Sequence, residues 1–367
     1  MPDRALKVAI AGCGEVAQVI HLPTLALMNH QYKVVAISDV SNDLLRHCQA
    51  KWSVEKAYKD YYEMLGQEAE IDVVFILTAD EYHTPYAVAA ADAGKAVFIE
   101  KPMALTRQDA DEIIAAQERN QVPVFVGYMR RYAEAFNVFK ELARGLKSIE
   151  YVRVRDIIGE NDFFVQQSGA FPIRPTDIPS SASDDRARLG REIVERAIPS
   201  RASNPRDVAT YRLLGSLGSH DLSAMREVFG VPKSCFAATR NARFDQEPFL
   251  TALLEFERFT AVYETGIDRV RKFDCSIEVA GDGKRYRIDY DTPYVKGLAI
   301  TVSALESSDD EGHCVERTIR PTYTDAYTLE MQELYKVVVE GKECKTGPRD
   351  AKLDLDVFDM IMGALRN

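Results

Sequence analysis

The chain has 367 residues, 46% hydrophobic and 28% charged, which is more than one hydrophobic core usually serves, so two globular domains are expected. Its formal charge of -11 is spread along the sequence, so no basic face is offered to nucleic acid and any bound phosphate falls to backbone groups. The six cysteines (Cys13, Cys48, Cys235, Cys275, Cys314, Cys344) form no C-x-x-C pair, no long apolar run occurs, and Met1-Pro2-Asp3-Arg4 leads directly into a strand, so a cytoplasmic protein with no disulfide framework and no membrane span is expected.

Short apolar runs bounded by turn residues come first: Lys7 to Ala11, Lys33 to Ile37, Val73 to Leu77, Ala96 to Ile99 and Val124 to Val126. They read as parallel strands buried on both faces. Helical patterns lie between them, at Val16 to Met28, Asn42 to Lys51, Pro85 to Ala93 and Arg107 to Arg119, the last with Thr106 as N-cap. This alternation predicts a doubly wound α/β domain over residues 1–128. The remainder, 129–367, reads as a second α/β domain. It holds a helix at Ala133 to Ala143, a strand at Ile149 to Ile158, and a polar insertion at about 161–207 with one helical segment, Asp184 to Ala197. The insertion is longer than a connection needs and reads as a lid or a partly ordered loop. A helix at Leu222 to Phe229 follows, then alternating runs at Ser234 to Ala242, Phe249 to Phe256, Thr260 to Thr265, Cys275 to Ala280 and Lys284 to Tyr290, with Gly281-Asp282-Gly283 as a hairpin turn. An open, mainly antiparallel sheet is expected, closed by helices Tyr327 to Val339 and Leu353 to Leu365 that can pack back on the first domain.

The stretch Lys7 to Ala17 is a strand, a tight turn and a helix start with the pattern G-x-G-x-x-A. Gly12 permits the turn, Gly14 lets a pyrophosphate approach, and Ala17 allows close helix packing, so Cys13, Glu15 and Val16 bring backbone N–H groups to the phosphates. Asp39 ends the next strand, where its carboxylate can accept both adenosine ribose hydroxyls and repel a 2'-phosphate. NAD is therefore preferred over NADP, although Arg46 is a cation in reach. The third and fourth strands end in Thr78-Ala79-Asp80-Glu81-Tyr82-His83 and Glu100-Lys101-Pro102, both at the ligand-binding crevice of such a sheet. On position alone, Lys101 reads as a solvated loop residue.

These residues resemble the glucose-fructose oxidoreductase, inositol dehydrogenase and rhizopine-catabolism (Gfo/Idh/MocA) family. The resemblance rests on Ala11-Gly12-Cys13-Gly14 with Ala17, His21-Leu22-Pro23, Asp39, Thr78 with His83, Gly94-Lys95, Glu100-Lys101-Pro102 and Gly127-Tyr128-Met129-Arg130-Arg131-Tyr132. It covers the first 132 residues and beyond them rests on Gly218-Ser219-His220-Asp221. It implies a Rossmann domain, a second domain with an open sheet, and dimers or tetramers built through that sheet. It also implies that Thr78, Ala79, Asp80, His83 and Glu100 flank the cofactor, that Lys101 lies by the nicotinamide and the substrate hydroxyl, and that the peptide to Pro102 is cis. An ammonium beside a cationic nicotinamide has its neutral form favoured, which makes Lys101 a credible proton acceptor.

The family's D-x-x-x-H-x-x-D signature falls on Ser216 to Ser223, where only the histidine is kept. His220 is thus the expected general acid-base, and Ser216 and Ser223 stand where carboxylates would hold polyol hydroxyls. Tyr128, Arg130 and Ser216 join Lys101 and His220 as expected substrate contacts. Arg130 is also expected at the cofactor, and its neighbour Arg131 in a domain-interface ion pair. No metal-ligand spacing occurs. The expected activity is hydride transfer between a nicotinamide cofactor and a secondary alcohol or ketone of a sugar, polyol or related small molecule. The alternatives are a dinucleotide-sensing regulator without catalysis and a redox-neutral epimerase or lyase with tightly held NAD.

Overall fold

The computed structural model describes residues 4–241, 249–308 and 312–366. It divides into two compact units, one made of residues 1–127, 168–202 and 331–352, the other of 128–167, 203–330 and 353–367.

In the first unit the strands are β1 (Leu6–Ala11), β2 (Tyr32–Ser38), β3 (Lys56–Tyr58), β4 (Val73–Ile76), β5 (Ala96–Glu100) and β6 (Val124–Gly127). All are parallel and run in the order β3-β2-β1-β4-β5-β6. This is the doubly wound arrangement with its order reversal beside β1, the place where such sheets take a dinucleotide. Val8, Ile10, Val74, Phe75, Val97, Phe98, Val124 and Phe125 are fully buried, because helices cover both faces. The interleaved helices are α1 (Leu22–Leu27), α2 (Asn42–Trp52), α3 (Tyr61–Gln67), α4 (His83–Asp92) and α5 (Arg107–Asn120). Thr106 caps α5 as expected, its Oγ1 accepting from Asp109 N–H at 3.0 Å. β3 and α3 were not anticipated: β3 is three residues long and carries too little pattern to be read.

The chain continues through α6 (Glu134–Arg144), β7 (Tyr151–Gly159), α7 (Asn161–Val165), α8 (Ser180–Ala197), α9 (Pro205–Leu213) and α10 (Ser219–Phe229). Then come β8 (Ser234–Arg240), β9 (Phe249–Glu255), β10 (Thr260–Asp268), β11 (Phe273–Gly281), β12 (Lys284–Tyr290), β13 (Thr301–Ser307) and β14 (Cys314–Ile319), and finally α11 (Ala326–Glu340) and α12 (Pro348–Ala364). Ala242, the end of one expected run, lies outside the described residues. The second unit's sheet has the order β14-β13-β12-β11-β7-β10-β9-β8 and is antiparallel except where β10 meets β7. Asp282 and Gly283 turn the β11–β12 hairpin with φ of 51° and 70°. β13 and β14 were not anticipated; β13 buries only Val302 and Ala304, and β14 is exposed along most of its length.

The insertion differs from expectation in its affiliation. Residues 168–202, assigned from sequence to the second domain, belong to the first unit. Their polar side chains explain it: Arg196 pairs with Asp109 at 2.9 Å, Tyr82 donates to Asp185 at 3.1 Å, and Asp177 is bonded to the start of α2. Residues 331–352 also return to this unit, where Val126 N–H donates to the Thr346 carbonyl at 3.0 Å.

Candidate functional site

β1 delivers the chain into the glycine turn. Gly12 has a φ of +95°, and a Cβ there would lie 2.7 Å from the Leu77 carbonyl oxygen, so only glycine fits. Gly14 differs: no atom lies within 4 Å of its would-be Cβ, and this leaves open space over the turn. Glu15 is exposed, Val16 half-buried and Ala17 fully buried, packed close to the sheet as the pattern requires. Expected as one helix, Val16 to Met28 instead divides into a π-helical turn, Ala17–His21, and α1.

Asp39 is held beside this turn. Cys13 N–H donates to its Oδ2 at 2.8 Å and Ser41 N–H to its Oδ1 at 2.9 Å. Burial raises the Asp39 carboxyl above its ordinary range, against the lowering effect of these two bonds. Each oxygen keeps a further lone pair for a ribose hydroxyl. On the other side of β1, the buried Thr78 hydroxyl oxygen has no partner among the described residues. An open cradle over Gly14, an anchored acceptor at Asp39 and an unused hydroxyl at Thr78 fit a dinucleotide.

The ends of β4 and β5 are tied together from beneath. His83 is buried, with Nδ1 2.8 Å from the Pro102 carbonyl oxygen and Nε2 3.2 Å from that of Thr78. It is a strut between two strand ends. Ala79 is extended, and Asp80 opens a single 3-10 turn, Asp80–Tyr82. Glu100 is likewise turned inward: its Oε1 lies 2.7 Å from His21 Nε2, and its Oε2 accepts the Lys101 N–H at 3.1 Å. Burial alone would raise the Glu100 carboxyl, but the bond to His21 and the charges of His21 and Lys101 outweigh it and hold the group below its ordinary range. Glu100 therefore ties the start of the Lys101 loop to His21. Lys101 follows, half-buried, with the Lys101–Pro102 peptide cis.

In the second unit, several expected contacts are occupied by packing. Arg130 is 2% exposed and donates to Asp156 at 2.9 Å and to Asp221, with the Phe273 and Tyr290 rings 5.6 and 5.4 Å away. Burial, opposed by Arg130, pushes the Asp221 carboxyl well up. Cys275 donates to Asp221 at 3.4 Å. Arg130 is thus the centre of a buried ion cluster. Arg131, expected at a domain interface, pairs with Glu227 of its own unit at 2.6 Å. Tyr128 also departs from expectation: it is 1% exposed, and its hydroxyl donates at 2.6 Å to Asp354, which pairs with Arg226. These acidic partners were missed. Asp221 stands beside His220 in the motif, but nothing local marks it as buried.

His220 is the second residue of α10 and half-buried, and Ser216 is exposed in the π-helical turn Leu214–Gly218 that precedes the helix. Ser223 is buried and donates back to the His220 carbonyl at 3.1 Å, so it does not serve as the outward-facing group of the motif.

Residues 6–128 match the model of an oxidoreductase family with an NAD-binding Rossmann fold. Myo-inositol 2-dehydrogenase of Thermotoga maritima is 34% identical over 136 residues, which are 37% of this chain and 40% of that enzyme, so this match spans about two fifths of the relative's length. Inositol 2-dehydrogenase 2 of Saccharopolyspora erythraea is 25% identical over 334 residues, 89% of this chain and 83% of the relative. A 3-ketoreductase from Actinomadura kijaniata, solved with NADP and TDP-benzene, shares the fold with a TM-score of 0.72 at 16% identity, over 99% of this chain and 98% of that one. The glycine turn, Asp39 and Glu100-Lys101-Pro102 all lie inside the matched span, so residues 6–128 match the NAD-binding Rossmann domain of the Gfo/Idh/MocA oxidoreductases.

Proposed function

We propose that the protein is an NAD-dependent dehydrogenase or reductase acting on a secondary alcohol or ketone of a sugar, polyol or related small molecule. The observation that carries this reading is the pairing of a glycine turn, with Asp39 anchored beside it, and a half-buried Lys101 set on the buried Glu100–His21 pair. Gly12 to Val16, Asp39 and the Thr78 hydroxyl would hold the dinucleotide, which when bound supplies hydride chemistry. Lys101 and His220 handle the proton at the substrate oxygen, since alcohol oxidation needs a near-neutral base in contact with the hydroxyl. Ser216, in the turn that precedes α10, is a further candidate substrate contact. The relatives' names make cyclic polyols the first substrates to test, and Ser216 and Ser223 in place of carboxylates widen the panel to sugars and hydroxy acids.

A cytoplasmic homodimer or homotetramer assembled through the second unit's sheet completes the reading. Support comes from the cysteines, none of which joins a disulfide, and from a half-exposed sheet face carrying Arg153–Glu264 and Arg155–Asp274 ion pairs at 2.6 and 2.7 Å. No helix among the described residues is long and apolar enough to cross a membrane. Light scattering checks the assembly. The activity is tested by incubating the protein with NAD, or NADP in parallel, and a panel of inositols, sugars and hydroxy acids, and following NADH or NADPH absorbance. Cofactor that co-purifies and does not exchange would favour the redox-neutral alternative, and a binding signal without turnover would favour the regulator.

A further inference from the structure

Within the first unit, residues 169–177 form a strap across the loops that follow β1 and β2. Gln18 holds it from below: Ile173 N–H donates to Gln18 Oε1 at 2.9 Å, and Gln18 Nε2 donates to the Ile173 carbonyl at 3.2 Å and to that of Cys13 at 3.0 Å. Lys51 donates to the Ala170 carbonyl. Thr176 donates through N–H and Oγ1 to Asp43 Oδ2 at 3.1 and 2.9 Å. The strap then sets the Asp177 carboxylate on the start of α2, where it accepts from Asn42 N–H at 2.7 Å, Asp43 N–H at 3.3 Å and the Ser41 hydroxyl.

α2 does not need this carboxylate as its cap. Ser41 already fills that role, its Oγ accepting from Leu44 N–H at 3.1 Å. The position is also specific. Ser41 is two residues past Asp39 and donates its N–H to the Asp39 carboxylate at 2.9 Å. A ribose held on Asp39 would bring its 2' position next to Ser41 and the first N–H groups of α2, the donors that a 2'-phosphate would require. Those donors are already taken by an anion of the chain itself. We propose that Asp177 is a second specificity-determining residue for the dinucleotide, acting with Asp39 to exclude a 2'-phosphate and so to select NAD over NADP. The inference rests on the reading that residues 6–128 bind a dinucleotide. It adds to Asp39 a residue from the insertion, remote in sequence.

The test uses the full chain and its Asp177→Asn and Asp177→Ser variants, with dissociation constants for NADH and NADPH measured by fluorescence titration. Both variants keep a polar side chain on the strap, and circular dichroism checks that they fold as the parent does. The parent should bind NADH more tightly than NADPH. In the variants NADPH should tighten by about tenfold or more, as expected when a like charge is removed from a hydrogen-bonding site, while NADH stays within about threefold. An unchanged NADPH to NADH ratio, including equal weakening of both, overturns the inference and leaves the dinucleotide site standing. A parent that binds NADPH as tightly as NADH also overturns it. A parent that binds neither overturns the dinucleotide reading, and this inference with it.

Discussion

The stretch from Gly12 to Asp39 and the stretch from Tyr128 to Arg131 carry motif residues of equal prominence, yet the structure uses them in opposite ways. In the first, Gly14 opens onto empty space and Asp39 keeps lone pairs available. In the second, Tyr128, Arg130 and Arg131 are buried and paired with Asp354, Asp156, Asp221 and Glu227. A motif residue thus keeps open space and free lone pairs where the backbone leaves it room, and is drawn into packing where the fold supplies it with counter-charges.

The largest expected effect separates chemistry from binding at the strand ends. Lys101→Ala should lower turnover by about 10²-fold or more while NADH affinity changes little, measured by steady-state kinetics beside fluorescence titration. Normal turnover would return Lys101 to the class of solvated loop residues. Next, Arg130→Ala should cost about 3–5 kcal/mol in urea unfolding, because it strands two buried carboxyls. A variant with parental stability and impaired substrate binding would erase the contrast between the two stretches and reinstate Arg130 in the site.

Smaller effects probe the supports. Glu100→Gln should cost about 1–3 kcal/mol through its bond to His21. Because the folded Glu100 carboxyl lies below its ordinary value of 4.5, its stabilising contribution is present above that pH and disappears as pH falls through the lower folded value. The parent should therefore lose stability on acidification over that window, and the Gln variant should lose less. Unchanged acid sensitivity would mean that Glu100 is not the group responsible. Thr106→Ala, a cap remote from the chemistry, should cost about 1 kcal/mol with kinetics intact.

The parallel sheet was legible because its strands are continuous apolar runs and its helices repeat between them, and the antiparallel hairpins because they alternate. The glycine turn and Asp39 could also be read, since each depends on local spacing, and the cis peptide before Pro102 was implied by the family resemblance. What could not be read depends on contacts between distant residues. Nothing near Arg130 announces Asp156, nothing near Tyr128 announces Asp354, and Asp177 sits in a polar stretch that looks like any solvated loop. The bonds of Glu100 to His21 and of His83 to the Pro102 and Thr78 carbonyls were not legible either, because strand position does not show which side chains tie the ends together from below.

Lys101 is proposed to handle the substrate proton beside the dinucleotide site of the first unit. The most direct test of this role is NADH formation from NAD over a panel of inositols, sugars and hydroxy acids, run with the parent and with Lys101→Ala at matched cofactor saturation. The account predicts that at least one secondary alcohol yields NADH with the parent and that this activity is lost in the variant while NADH still binds. Silence across the panel from a parent that binds NADH, or equal rates in parent and variant, would contradict it.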